Sequence, residues 1–225
     1  MLGGDYMVGM SCGKMLAERY GAVVVCPNYR LAGKAPYPAA LEDCYTALKW
    51  MYENAKELGI DRSRIVVGGE SAGGGLAAAV CIYARDKGEI PVAMQIPLYP
   101  MLDCEDTASS VDNHGKVWNT RRNHLGWRLY LRGDAKKEVS PYAAPSQQKD
   151  YRNLPPCYTF VGDGEPFYCE TLKFVEDLRN AGVKSNVDVY HTNVHAFDMM
   201  NPEWEISKKA VEVFEQHFEE ALKAV

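Results

Sequence analysis

The 225-residue chain carries a formal net charge of −5, and 47% of its residues are hydrophobic. A chain of this length can bury about 70% of the surface that its unfolded form exposes, so its core needs no disulfide or metal staple. The acidic balance argues against a surface built for nucleic acid or for anionic membranes.

Seven cysteines, an odd number without a C-x-x-C pair, do not indicate a disulfide framework. They predict free thiols in a reducing compartment. The sequence shows neither the pattern of a signal peptide nor an apolar run long enough to span a bilayer. We therefore expect a cytoplasmic protein without nucleic-acid or membrane partners, and the sequence leaves open whether copies of it associate.

Short apolar runs rich in β-branched residues alternate with helical patterns along the chain. The predicted strands cover residues 22–26, 64–68, 92–98, 157–162 and 186–190, and the predicted helices cover residues 9–20, 38–58, 72–87, 168–181 and 203–224. The last helix has an apolar stripe at three- and four-residue steps. This alternation predicts an α/β fold in which helices cover both faces of a mostly parallel sheet, in a single domain over residues 1–225.

Residues 103–156 break the alternation. They contain one predicted helix, residues 120–132, and no strand pattern, and they are too many for an ordinary connection between two strands. We expect an insertion that forms a lid or part of a cap over the sheet edge, where ligands bind in such folds.

The segment Gly-Glu-Ser-Ala-Gly at residues 69–73 follows a predicted strand and opens an apolar helix. A serine in this context is typical of a nucleophile elbow. Its sharp turn should leave no room for a Cβ at Gly69 or Gly73 and should hold Ser71 in strained backbone geometry with its hydroxyl exposed. The N-terminal N–H groups of the helix then point toward the chemistry. Ser71 is the candidate nucleophile.

A serine hydroxyl needs an imidazole to take its proton and a carboxylate to orient that imidazole. In sheets of this type the chain order is serine, acid, histidine. His195 fits this order best, because it lies in the loop after the last predicted strand, at the same edge as Ser71. The other histidines lie in the insertion, at the end of a strand or on the last helix: His114, His124, His191 and His217.

The acid should lie in the loop after the strand at residues 157–162. Asp163 and Glu165 both stand there, and either could instead be a solvated turn carboxylate or a helix cap. Their positions alone do not separate them.

Together these features resemble the hormone-sensitive-lipase branch of the α/β-hydrolases, the acetyl-esterase-like carboxylic ester hydrolases. The matching segments run nearly end to end: residues 28–32, 36–43, 69–74, 97–100, 154–156, 165–167 and 195–197. In that family the acid directly precedes a proline, so the resemblance implies Glu165 before Pro166 rather than Asp163. It further implies an acyl-enzyme mechanism on short-acyl esters, with Ser71, His195 and Glu165 as the catalytic set and no cofactor or metal.

Four aromatic residues are candidates for the wall of a compact substrate pocket, although ordinary core or lid packing is the simpler explanation of each. They are Tyr99, Trp118, Trp127 and Phe167.

The sequence departs from the family at the oxyanion turn. The family carries His-Gly-Gly-Gly, whereas here Leu2 replaces the histidine and Asp5 replaces the last glycine. The resemblance implies an oxyanion hole at the two matching glycines and at the residue after the nucleophile: Gly3, Gly4 and Ala72. The changed turn also keeps a second hypothesis, a non-catalytic or weakly active small-molecule-binding protein on the same scaffold.

The first three strands of the family and the N-terminal half of its cap have no counterpart in this sequence. In the family's sheet order, the strand before the oxyanion turn lies between the strands expected at residues 22–26 and 64–68. Its loss would leave unpaired backbone groups on both sides of a gap. Either the neighbours close up, or another chain supplies the strand, or the sequence is a fragment of a longer product; we favour a fragment or an atypical start.

Overall fold

Four parallel strands form one sheet in the computed structural model, which describes residues 11–132 and 138–223. The strands stand in the order in which they follow along the chain: β1 Val66–Glu70, β2 Met94–Leu98, β3 Cys157–Gly162 and β4 Ser185–Tyr190. All three pairings are parallel, so the carboxyl ends of the strands meet at one edge of the sheet. The predicted parallel sheet is confirmed, although β1 and β2 each begin two residues later than expected.

Helices cover both faces of this sheet. Their bounds are α1 Ser11–Tyr20, α2 Ala39–Glu53, α3 Ala55–Leu58, α4 Ala72–Lys87, α5 Thr120–Leu131, α6 Tyr168–Asn180, α7 Phe197–Met200 and α8 Glu205–Lys223. One face buries Phe160 against Phe214 and Phe218 of α8, with α1 packed alongside. The other face buries Ile82 of α4 against Phe174 of α6. The predicted two-sided covering of the sheet is therefore confirmed.

The strand predicted at residues 22–26 is absent; residues 21–30 have no regular secondary structure. A strand requires a hydrogen-bonded neighbour, and no described residue pairs with this segment as one. A groove of about 440 Å³ lies between it and β1, and Val23 and Val24 are each 40% exposed. The segment is apolar as predicted, but its backbone has no neighbouring strand to hydrogen bond with among the described residues.

The helix predicted over residues 38–58 is divided into α2 and α3 at Asn54. The side-chain amide of Asn54 donates a hydrogen bond to the Trp50 carbonyl at 2.8 Å, which gives that carbonyl a second donor beside a backbone N–H. Asparagine favours such local bonds over a continuous helix.

The described residues of the insertion, 103–132 and 138–156, contain α5 and no strand. Trp127 and Tyr130 of α5 are buried in a cluster with Leu76 of α4 and Phe167. The insertion is thus packed onto the sheet edge rather than extended into solvent.

None of the seven cysteines forms a disulfide: Cys81 and Cys157 are buried, and the other five are half-buried. Across the ranges that the structure describes, none of the helices combines the length and the apolar character needed to cross a membrane.

Candidate active site

The nucleophile elbow is formed where β1 ends at Glu70 and α4 begins at Ala72. Ser71 between them has φ +58° and ψ −117°, a conformation that costs an L-residue about 1–3 kcal/mol. A Cβ at Gly69 would lie 2.5 Å from the carbonyl oxygen of Gly73, so this position requires glycine. The expectation for Gly73 is wrong, because open space surrounds its Cβ position. The close approaches lie at the next two glycines: a Cβ would lie 2.9 Å from the Leu98 carbonyl oxygen at Gly74 and 2.1 Å from the Met101 carbonyl oxygen at Gly75.

The backbone of Ser71 is tied to the chain that leaves β2. Its N–H donates to the Leu98 carbonyl at 3.0 Å, and its carbonyl accepts from the N–H of Met101 at 3.0 Å. The strained turn is therefore held by neighbours on both sides, as a strained functional residue requires.

The structure brings Ser71, His195 and Glu165 together. The Oγ of Ser71 lies 2.7 Å from Nε2 of His195, and Nδ1 of His195 hydrogen bonds to Oε2 of Glu165. The other carboxylate oxygen, Oε1, accepts the Gly162 N–H at 3.0 Å. Because the imidazole is 5% exposed and Glu165 is fully buried, water competes little for these bonds.

The second candidate acid, Asp163, is bound elsewhere. Its Oδ2 lies 2.8 Å from Nδ1 of His191, and its Oδ1 accepts the Thr192 N–H at 3.2 Å. The hydrogen bond that His191 donates to Asp163 raises the pKa of His191, whose side chain is exposed. The geometry therefore separates the two acids that the sequence left in competition.

Residues of the insertion hold the turn that carries Glu165. Ser109 Oγ donates to the Pro166 carbonyl at 2.7 Å and accepts the Cys169 N–H at 3.0 Å. Asn113 Nδ2 donates to the Gly164 carbonyl at 3.1 Å. Sequence reasoning missed both residues, because no local pattern in the insertion indicates contact with the acid turn.

Two aromatic rings flank the imidazole of His195. The Phe167 ring lies 5.0 Å away and the Tyr99 ring 5.3 Å away between centroids, both at 82° to the imidazole. Trp118 packs on Phe167 at 6.4 Å, whereas Trp127 packs on Tyr130 in the insertion. Three of the four candidate aromatics thus lie at or next to the site.

The remaining histidines take no part in this arrangement. His114 lies 3.1 Å from Asp112 and His124 lies 2.8 Å from Asp106, both within the insertion. His217 of α8 stacks its ring on Tyr158, with 4.2 Å between the ring centroids.

Three further carboxyl groups lie near the site, and sequence reasoning did not single them out. Burial raises the pKa of Glu70 to about 7. Burial also raises the pKa of Asp198, which follows His195 by three residues. Glu170 of α6 is buried with its pKa raised well above the usual range by desolvation, and its Oε1 accepts the Leu102 N–H at 2.6 Å.

Ala72, predicted for the oxyanion hole, lies directly after Ser71. It is the first residue of α4, so its N–H has no acceptor within the helix. The two other residues predicted for the oxyanion hole, Gly3 and Gly4, lie outside the described residues.

A family model described as alpha/beta hydrolase fold matches residues 3–199, a range that contains Ser71, Glu165 and His195. The chain belongs to this family, in its hormone-sensitive-lipase-like branch. Among curated relatives of this α/β-hydrolase, Esterase LipI of Mycobacterium tuberculosis is 33% identical over 78% of this chain and 56% of its own length. The Arylesterase of Saccharolobus solfataricus is 30% identical over 87% of this chain and 66% of its own length.

The solved structure of esterase LipW from Mycobacterium marinum is similar to this α/β-hydrolase with a TM-score of 0.86 and 34% identity. The match covers 92% of this chain and 65% of the LipW chain. The chain thus spans between about half and two thirds of the length of these relatives.

Proposed function

We propose that this α/β-hydrolase cleaves small carboxylic esters by nucleophilic catalysis, with Ser71 as nucleophile, His195 as general base and acid, and Glu165 as the orienting acid. The observation that carries the proposal is the continuous relay from the Ser71 hydroxyl, 2.7 Å from His195, to a buried carboxylate on the opposite ring nitrogen. Relatives that are named esterase and arylesterase support the same reaction class. A receptor has no chemical need for such a relay, so the non-catalytic alternative is not favoured.

The reaction proceeds in two halves. Ser71 Oγ attacks the acyl carbon while its proton passes to Nε2 of His195, and Glu165 stabilises the imidazolium through Nδ1. The tetrahedral intermediate collapses to an acyl-serine, and the departing alcohol takes the proton from Nε2. Water then attacks the acyl-serine, again losing its proton to His195, and the carboxylic acid leaves as Ser71 regains its hydrogen.

The oxyanion of each tetrahedral intermediate would accept the Ala72 N–H, with Gly3 and Gly4 as the further donors that the family resemblance implies. A single such donor typically contributes about 10²–10³-fold to kcat. The dipole of α4 adds favourable potential at the same point.

We further propose that residues 1–225 form one domain in which residues 103–156 act as a lid. The bonds from Ser109 and Asn113 to the acid turn support this role, since they connect the insertion to Glu165. Phe167 beside the imidazole, with Trp118 packed on it, favours a small acyl group. A cytoplasmic location remains our expectation from the cysteine content.

A fluorophosphonate probe tests the proposal directly. We expect wild-type protein to be labelled and Ser71→Ala to be spared, because the probe reacts only with an activated serine. Nitrophenyl acetate should be hydrolysed faster than nitrophenyl octanoate. Folded wild-type protein that is neither labelled nor active on acetate would contradict the proposal.

A further inference from the structure

Tyr99 occupies an unusual position directly after β2. It is fully buried, and its backbone φ of +33° lies in a region that a tyrosine rarely adopts. Its N–H donates to the Phe160 carbonyl at 2.9 Å, which anchors the residue to β3. The strained backbone directs the ring to the face of the sheet edge where His195 lies, 5.3 Å away between ring centroids.

The hydroxyl of Tyr99 reaches a second buried acid. It donates to Oδ2 of Asp198 at 3.3 Å, and Asp198 Oδ1 has no hydrogen-bond partner in the ranges that the structure describes. A buried carboxylate with one unpaired oxygen is incompletely solvated, so it gains from any cation formed nearby. His195, three residues earlier on the same loop, becomes such a cation when it takes the serine proton.

We propose that Tyr99 and Asp198 are positioning residues for His195, and this inference rests on the proposed function. Tyr99 holds the plane of the imidazole through its ring and holds the Asp198 carboxylate through its hydroxyl. Asp198 supplies the imidazolium with a second negative charge, in addition to the Glu165 carboxylate that binds Nδ1.

The groups that face Asp198 decide its charge. They come from three elements: Tyr99 after β2, His195 on its own loop, and Glu70 at the end of β1, which hydrogen bonds to Cys12 of α1. Burial raises the pKa of Asp198, while the Tyr99 hydroxyl, the backbone N–H groups of Asp198 and Met199, and His195 lower it. Asp198, which accepts the Tyr99 hydroxyl at 3.3 Å and lies three residues from His195, is the better placed of the two acids to act on the imidazolium.

The test compares three variants: Asp198→Asn, Tyr99→Phe and, as a matched control, Asp163→Asn. Asp163 lies in the loop after β3, two residues before Glu165, but it binds His191 rather than His195. Two readouts are used, the acid limb of the kcat/KM profile on nitrophenyl acetate and the NMR titration of the His195 ring, assigned by its loss in His195→Ala. The NMR titration needs no turnover, so it separates failure of this inference from failure of the proposed function.

Removal of a negative charge makes protonation of the imidazole less favourable. Asp198→Asn should therefore move both the acid limb and the His195 titration to lower pH by about 0.5–1 unit, and should lower the plateau of kcat about tenfold. Tyr99→Phe should shift both in the same direction by less, since Asp198 then loses its donor. Asp163→Asn should leave both at the wild-type pH, and Asp198→Glu, which keeps the charge, should restore most of the shift.

A purely structural role would lower kcat without moving either titration, and that result in folded Asp198→Asn would overturn the inference. If Asp198→Asn does not fold, Tyr99→Phe decides: a shift of the His195 titration to lower pH supports the inference, and a wild-type titration refutes it.

Discussion

Two histidine–carboxylate pairs connect the loop after β3 with the loop after β4, and they differ mainly in how deeply they are buried. In the pair of His195 with Glu165 the side chains are 5% and 0% exposed, whereas in the pair of His191 with Asp163 they are 99% and 36% exposed. Only the buried pair has a hydroxyl, that of Ser71, on its other ring nitrogen. The bond between imidazole and carboxylate is common to both pairs, so burial and the third group on the other ring nitrogen are what distinguish them.

Removing the two imidazoles should separate the pairs most clearly. We expect His195→Ala to lower kcat/KM by about 10⁴-fold or more, because the serine loses its base. His191→Ala should change kcat/KM by no more than about twofold, because an exposed ion pair contributes little. The measurement is hydrolysis of nitrophenyl acetate by protein shown to be folded by circular dichroism, and comparable losses in both variants would refute the distinction.

Substitution of the buried carboxylate should likewise lower kcat more than substitution of the exposed one. Glu165→Gln should lower kcat by about 10²–10⁴-fold, because the amide can no longer hold the imidazolium or its tautomer. Asp163→Asn should change kcat less than about threefold, since an asparagine can still accept the Thr192 N–H. A larger loss in Asp163→Asn than in Glu165→Gln would overturn the assignment of the acid.

The support of the buried pair by the insertion predicts a smaller effect. Ser109→Ala removes one hydrogen bond to the acid turn and one to the first turn of α6, each worth about 1 kcal/mol, so kcat should fall about three- to tenfold with little change in KM. Ser63→Ala is the control, because its hydroxyl bonds to Asp61 before the start of β1, away from the carboxyl edge. Equal activity of both variants would show that the insertion does not position Glu165.

The smallest effect concerns the exposed pair and the pH dependence of stability. Asp163 raises the pKa of His191 in the folded state, so the pair stabilises the fold below the unfolded histidine pKa. That contribution is lost as the pH rises through the folded value. Thermal unfolding should therefore show a Tm difference between wild type and Asp163→Asn at pH 5.5 that disappears at pH 9; a difference that grows with pH would contradict this sign.

The features that could be predicted from the sequence are those that depend on short stretches of neighbouring residues. Strands β2 to β4, the elbow at Ser71 and the loop of His195 follow from apolar runs and their boundaries. The choice between Asp163 and Glu165 does not follow from local pattern. The two acids lie two residues apart in one loop, and only the folded chain determines which carboxylate points inward to His195. The segment at residues 22–26 fails for the opposite reason, because its apolar pattern is strand-like but strand formation depends on a partner.

Contacts between distant parts of the chain were the least predictable. Nothing in the sequence around Tyr99 indicates that its ring meets His195, or that its hydroxyl meets Asp198. The link from Ser109 to the acid turn crosses 57 positions of the chain. Such contacts arise from packing of the insertion and the sheet edge, which no window of neighbouring residues records.

The left-handed backbone of Ser71 has a consequence for laboratory evolution. Glycine adopts this conformation without penalty, so Ser71→Gly would relieve roughly 1–3 kcal/mol of strain while removing the reactive oxygen. A library screened for heat resistance alone would therefore enrich inactive clones at this position. Selection for durability in this protein must be coupled, clone by clone, to a readout of turnover.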